Sequence, residues 1–105
     1  MNIRFSAFII TMLACTTAFA EPFSQGNAEA GQKTYVHYKC ATCHIDRFGG
    51  DGSTIFTRAD RQIKTAASLA TQIRKCSTNL GLMLFEDEEE NLGAYLNRNY
   101  YKFKQ

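Results

Sequence analysis

The stretch HYKCATCHID, His37 to Asp46, sets Cys40 and Cys43 two residues apart with His44 directly after them. Three chemistries use such a set. A structural zinc site takes four ligands, commonly two close pairs of Cys or His. Only His37 and Cys76 remain to complete one here, and they form no second close pair. A thioredoxin-like redox pair belongs in a strand–helix setting, and the flanking sequence has almost no strand pattern. The third chemistry is covalent haem attachment. The Cys40 and Cys43 thiols would add across the two haem vinyl groups, whose separation one turn of chain spans. His44 would then fall under the iron as the proximal imidazole. Cys-x-x-Cys-His is the signature of this attachment, and it is the favoured reading, with metal and redox readings as the alternatives.

Three helical segments are expected to position the motif. The first runs from about Asn27 to Lys39, with Asn27 as N-cap and Glu29 in the first turn. The second runs from about Lys64 to Lys75. Its apolar residues Ala66, Leu69, Ala70 and Ile73 share a face that continues to Cys76, which is therefore expected to point inward. The third runs from about Asp87 to Tyr101, opening with acids and ending near Arg98, Lys102 and Lys104, as the helix dipole favours. Leu92, Tyr95, Leu96 and Tyr100 form its expected buried stripe. Between the first two segments, IDRFGGDGSTIFTRADR reads as an irregular loop marked by Gly49, Gly50 and Gly52, with a weak strand signal at TIFT. The fold class expected is all-α.

The first twenty residues read as a signal peptide. Arg4 precedes an apolar run from Phe8 to Ala14, and Ala18-Phe19-Ala20 is a cleavage pattern. The run is shorter than the ~20 apolar residues needed to span a bilayer. Lipidation at Cys15 is a poorer fit than cleavage between Ala20 and Glu21. The expected domain is therefore Glu21–Gln105, exported to the periplasm. A domain this small buries only about 60–65% of its unfolded surface, so a staple such as a cofactor is expected. The whole chain carries a formal charge of +2, and losing Arg4 leaves the remainder nearer neutral. No basic stripe suggests a nucleic-acid partner. The acidic run EDEEE, Glu86 to Glu90, reads as a solvated helix start, with docking to a basic partner as the alternative. Of four cysteines, Cys40, Cys43 and Cys76 would survive export, leaving Cys76 without a partner.

AEAGQKTYVHYKCATCH near the start and EDEEENLGAYLNRNYY near the end together resemble a small class I cytochrome c. The resemblance implies a small domain of about three helices wrapped around one haem c. Cys40 and Cys43 would be its thioether anchors, His44 the proximal iron ligand, and Tyr95 the aromatic of a C-terminal helix crossing the N-terminal one. One departure concerns that crossing. Gly31 stands nine residues before Cys40 where the family usually has eight, so the helix contact is expected to be shifted or built from other residues.

The family usually supplies a methionine as distal ligand, and Met83 is the only one after the leader. It precedes Tyr95 by 12 residues, closer than the family spacing, and lacks the usual following proline, whereas Cys76 precedes Tyr95 by 19. The stretch KCSTNLGL also resembles periplasmic monohaem cytochromes with a proposed His/Cys-ligated haem. Cys76 is the preferred distal iron ligand and Met83 the alternative. The bland reading of Cys76 is a buried thiol, since free Cys is among the most buried residue types. His37, on the helix entering the motif, is expected to be a surface or partly buried histidine and not a ligand.

The function implied is one-electron transfer, with iron cycling between Fe(III) and Fe(II) and redox proteins of the periplasm as partners. No catalysis is expected, and the oligomeric state stays open between monomer and dimer. The rival is an NO- or CO-binding or sensing protein with a labile distal ligand.

Overall fold

The computed structural model describes residues 9–12 and 21–105. The expected cleavage pattern Ala18-Phe19-Ala20 and Cys15 lie outside the described residues. The described residues form five α-helices, α1 (Ala28–His37), α2 (Thr42–Phe48), α3 (Thr54–Thr57), α4 (Ala66–Asn79) and α5 (Glu86–Leu96). A π-helical turn, Asn97–Tyr101, continues α5. No strand occurs among the described residues, and none of their helices is long and apolar enough to cross a membrane.

Helix α1 starts as expected. The Asn27 side chain accepts the Ala30 N–H at 2.8 Å, and the Asn27 N–H donates to Asn91 Oδ1 at 2.8 Å, tying the cap to α5. The helix ends at His37 because Lys39 adopts a left-handed conformation with φ 54°. The Cys40 N–H then reaches the Tyr35 carbonyl and the Lys39 N–H the Val36 carbonyl, both at 3.1 Å. That pair of bonds is a Schellman motif, and it turns the chain into the cysteine motif.

α1 packs along α5 more extensively than any other helix pair. Gly31 lies at the contact: a Cβ there would collide with the Asn91 carbonyl oxygen and stand 2.9 Å from the Tyr95 Cβ. The expected displacement of this contact does not occur. Gly31 itself makes it, against the aromatic residue the sequence singled out. Arg98 and Glu29 form an exposed ion pair across the same two helices at 2.8 Å.

Two parts of the expected loop are helical. Thr42–Phe48 is α2, so the motif opens a helix, and TIFT is the turn α3. Asp51 Oδ1 accepts both the Ser53 N–H (3.0 Å) and the Ser53 hydroxyl (2.6 Å), which organises the turn before α3. α3 buries Phe56 against His44, Tyr100 and Tyr101. Burial of that ring outweighs the weak strand preference of a four-residue segment.

α4 begins at Ala66 because Thr65 and Ser68 form a capping box. It runs past Lys75 to Asn79, where a second Schellman pair at Gly81 stops it. Leu69 and Ile73 are buried as expected, but Ala70 is exposed. The inward face runs instead through Leu69, Gln72, Ile73 and Cys76.

α5 buries Leu92, Tyr95 and Leu96. The π-helical turn adds one residue to the repeat, so the next fully buried ring is Tyr101, five after Leu96, and Tyr100 is half-buried. The acidic run is partly engaged in the fold: Glu88 accepts the Phe85 N–H at 3.2 Å, and Glu89 pairs with Arg74 of α4 at 3.1 Å.

Candidate cofactor site

The motif occupies the turn after α1 and the first turn of α2. Cys40 is half-buried in the turn, while Cys43 and His44 project from α2. Gly52 presses on this turn with φ 81°, and a Cβ there would stand 2.8 Å from the His44 Cβ. Only glycine suits a left-handed position with that close an approach. The loop after the motif therefore acts as its backing.

The His44 ring lies edge-on to Phe56 with centroids 5.2 Å apart. Burial holds its pKa below the usual histidine value, favouring neutral imidazole, the form that ligates metals. His44 Nδ1 is buried without a hydrogen-bond partner. Buried polar atoms are nearly always paired, so this nitrogen stands out.

Cys40, Cys43 and His44 line a cavity of about 630 Å³. Cavities that take cofactor-sized ligands range from about 300 to 1,000 Å³. α4 contributes Leu69, Gln72, Ile73 and Cys76, and α5 with its π-helical turn contributes Leu92, Leu96 and Tyr101. Leu82 and Leu84 line it from the connection between α4 and α5, and Arg47, Arg61 and the Arg58–Asp60 ion pair at 2.6 Å line it as well. Burial pushes the Cys40 thiol upward, and a charge on Cys76 adds to that shift. Both sulfurs line the same cavity, although Cys76 is 36 residues further along the chain. Among the described residues, Cys40, Cys43 and Cys76 are all free of disulfides.

The other singled-out residues lie elsewhere. Met83 is 94% exposed and does not line the cavity. The connection before α5 alternates its side chains, so Leu82 and Leu84 face the cavity while Met83 and Phe85 face solvent. His37 is exposed, with its ring edge-on to Tyr38. Tyr95 lies behind the cavity, packed on Tyr35 at 5.5 Å.

Sequence reasoning missed Gln72, whose side-chain amide donates to Cys76 Sγ at 3.1 Å. Its signal was available: it stands one helical turn before Cys76. Phe56, which the sequence offers as a packing aromatic more than a chemical one, lines the cavity and packs on His44. Among the described residues no three His, Cys, Asp or Glu side chains gather as ligands for a bare metal ion.

No family model matches the chain, and no curated protein or solved structure matches it.

Proposed function

We propose that this chain is an exported monohaem cytochrome of the c type that carries single electrons between redox proteins of the periplasm. One observation carries the proposal: the Cys-x-x-Cys-His motif and Cys76, remote from it in sequence, line one cofactor-sized cavity.

The residues fit a covalently held haem. Cys40 and Cys43 would anchor it and His44 would be the proximal ligand. Cys76, from α4, would be the distal one. A metal already held in a ring needs only one or two protein ligands, which suits a site without a bare-metal cluster. The apolar residues of α4 and α5 would cover its faces, and Arg47 suits a carboxylate of such a ring, whereas Arg58 is paired with Asp60 and Arg61 donates to the Phe56 carbonyl. The bound group would supply an iron centre that gains or loses one electron. An electron would come from a reduced protein donor and pass to an oxidised protein acceptor, with no bond made or broken in the chain. The chain's part would be to hold the group through Cys40 and Cys43, supply His44 and Cys76 as ligands, and set its potential through ligand type and burial.

Absorption spectra of the haem-loaded wild type and Cys76→Ser test this. The wild type is expected to hold haem through denaturation and to be low-spin when oxidised, and Cys76→Ser to change spin state. A wild type without covalent haem sinks the proposal. Ready binding of CO by the reduced wild type would favour gas binding or sensing over electron transfer.

A further inference from the structure

Cys76 Sγ receives one side-chain hydrogen bond among the described residues, from the Gln72 amide at 3.1 Å. Among the described residues, no side chain is seen donating to either motif sulfur. Gln72 and Cys76 are four apart on α4, so helical geometry places the amide over the sulfur without any tertiary contact to arrange it. Both side chains are half-buried and both line the cavity.

We infer that Gln72 is a positioning residue for Cys76: its amide holds the sulfur toward the cavity and draws electron density from it. The inference rests on the assignment of Cys76 as distal iron ligand. An N–H directed at an anionic sulfur is a charge-assisted hydrogen bond. Such outer partners orient a ligand and tune the metal it binds. The sulfur bears more negative charge when the iron is ferrous, because the metal then withdraws less. The hydrogen bond is therefore stronger in the reduced state, and it raises the potential above what a bare thiolate would give.

Removing the donor should lower the potential. Loss of a polar group also lowers local polarity, which alone disfavours the more negative reduced state of a thiolate-ligated haem. The two causes separate in a background without the sulfur. There, lower polarity favours the reduced state, because the oxidised one bears the extra charge.

The experiment uses the full chain, exported and haem-loaded, as wild type, Gln72→Leu, Gln72→Asn, Cys76→Ser and the Gln72→Leu/Cys76→Ser double variant. Covalent haem and the oxidised spectrum are read first, then the reduction potential. Gln72→Leu is expected to keep covalent haem and a low-spin spectrum while shifting the ferric-to-ferrous ratio about tenfold toward ferric. For one electron that is about 59 mV downward. Gln72→Asn, whose amide is one carbon short, should shift the same way. Adding Gln72→Leu to Cys76→Ser should give no downward shift. An unchanged potential in both single Gln72 variants, or an equal downward shift with and without the sulfur, overturns the inference while Cys76 stays the ligand. An oxidised spectrum unchanged by Cys76→Ser removes the ligand assignment itself, a failure seen before any potential is measured.

Discussion

Among the described residues, His44 presents a buried Nδ1 with no partner, a ring edge-on to Phe56 and a Cβ that Gly52 approaches closely. Its orientation is set by packing, whereas metal-binding histidines usually have a hydrogen-bonded second nitrogen. His44→Ala should leave haem tethered through the two thioethers and turn the iron high-spin or toward an adventitious ligand. An unchanged low-spin spectrum would remove His44 from the proximal position. With Cys76 as the proposed ligand, an anionic sulfur would stabilise ferric over ferrous iron, and burial would amplify this. Cys76→Ser should therefore raise the potential. Met83 is a solvent-facing side chain, so Met83→Leu should leave spectrum and potential alone and change stability by less than about 0.5 kcal/mol. Loss of the sixth ligand in Met83→Leu, with Cys76→Ser silent, would reverse the two roles.

At the scale of the helices, the crossing of α1 and α5 sets where the motif begins. Gly31 lets the two backbones meet, and a methyl group there would overlap the Asn91 carbonyl. Backbone cannot yield as a flexible side chain does, so Gly31→Ala must push the helices apart. Overpacking of this kind costs about 1–3 kcal/mol, and urea unfolding of the haem-loaded protein would measure it. A variant as stable as wild type would mean the crossing is looser than the structure has it. Such a shift also moves the Schellman turn at Lys39, and with it Cys40.

For the whole molecule, the cavity of about 630 Å³ is where apolar burial is incomplete: its walls include Leu69, Ile73, Leu92 and Leu96, which a bound group would cover, in a domain with little apolar burial to spare. The Cys40→Ala/Cys43→Ala variant should lack covalent haem and lose most of its helical circular dichroism. A stable, helical chain from that variant would contradict the structural role proposed for a bound haem. The tyrosines add a pH dependence. Burial pushes the Tyr95 phenol up to about 12, with Tyr100 adding to the shift, and burial also raises Tyr35 and Tyr101. The folded protein thus keeps protons that the unfolded chain releases near about pH 10. This contribution is complete below that pH and is lost as pH rises through about 12. Denaturation midpoints between pH 9 and 12 should fall in wild type and fall less steeply in Tyr95→Phe.

The sequence by itself determined what is local. Asn27 caps α1 because its side chain reaches a backbone N–H three residues on, and Leu92, Tyr95 and Leu96 share a face because a helix repeats every 3.6 residues. Cys40, Cys43 and His44 are close because they are neighbours in the chain. Even Gln72 beside Cys76 follows from helical spacing. Only the tertiary structure decided what depends on distant segments. TIFT becomes a helical turn because Phe56 finds aromatic partners more than forty residues away. Gly31 meets Tyr95 in spite of its unusual distance from the motif, since a helix contact depends on where backbones cross and not on a residue count. Tyr101 replaces Tyr100 in the core because a π-helical turn shifts the register. Cys76 faces the motif and Met83 faces water because α4 continues to Asn79 and the connection after it alternates its side chains between cavity and solvent. One-dimensional spacing could rank those two sulfurs, but the side of the cavity wall on which each lies is set by how α4 and α5 pack around it.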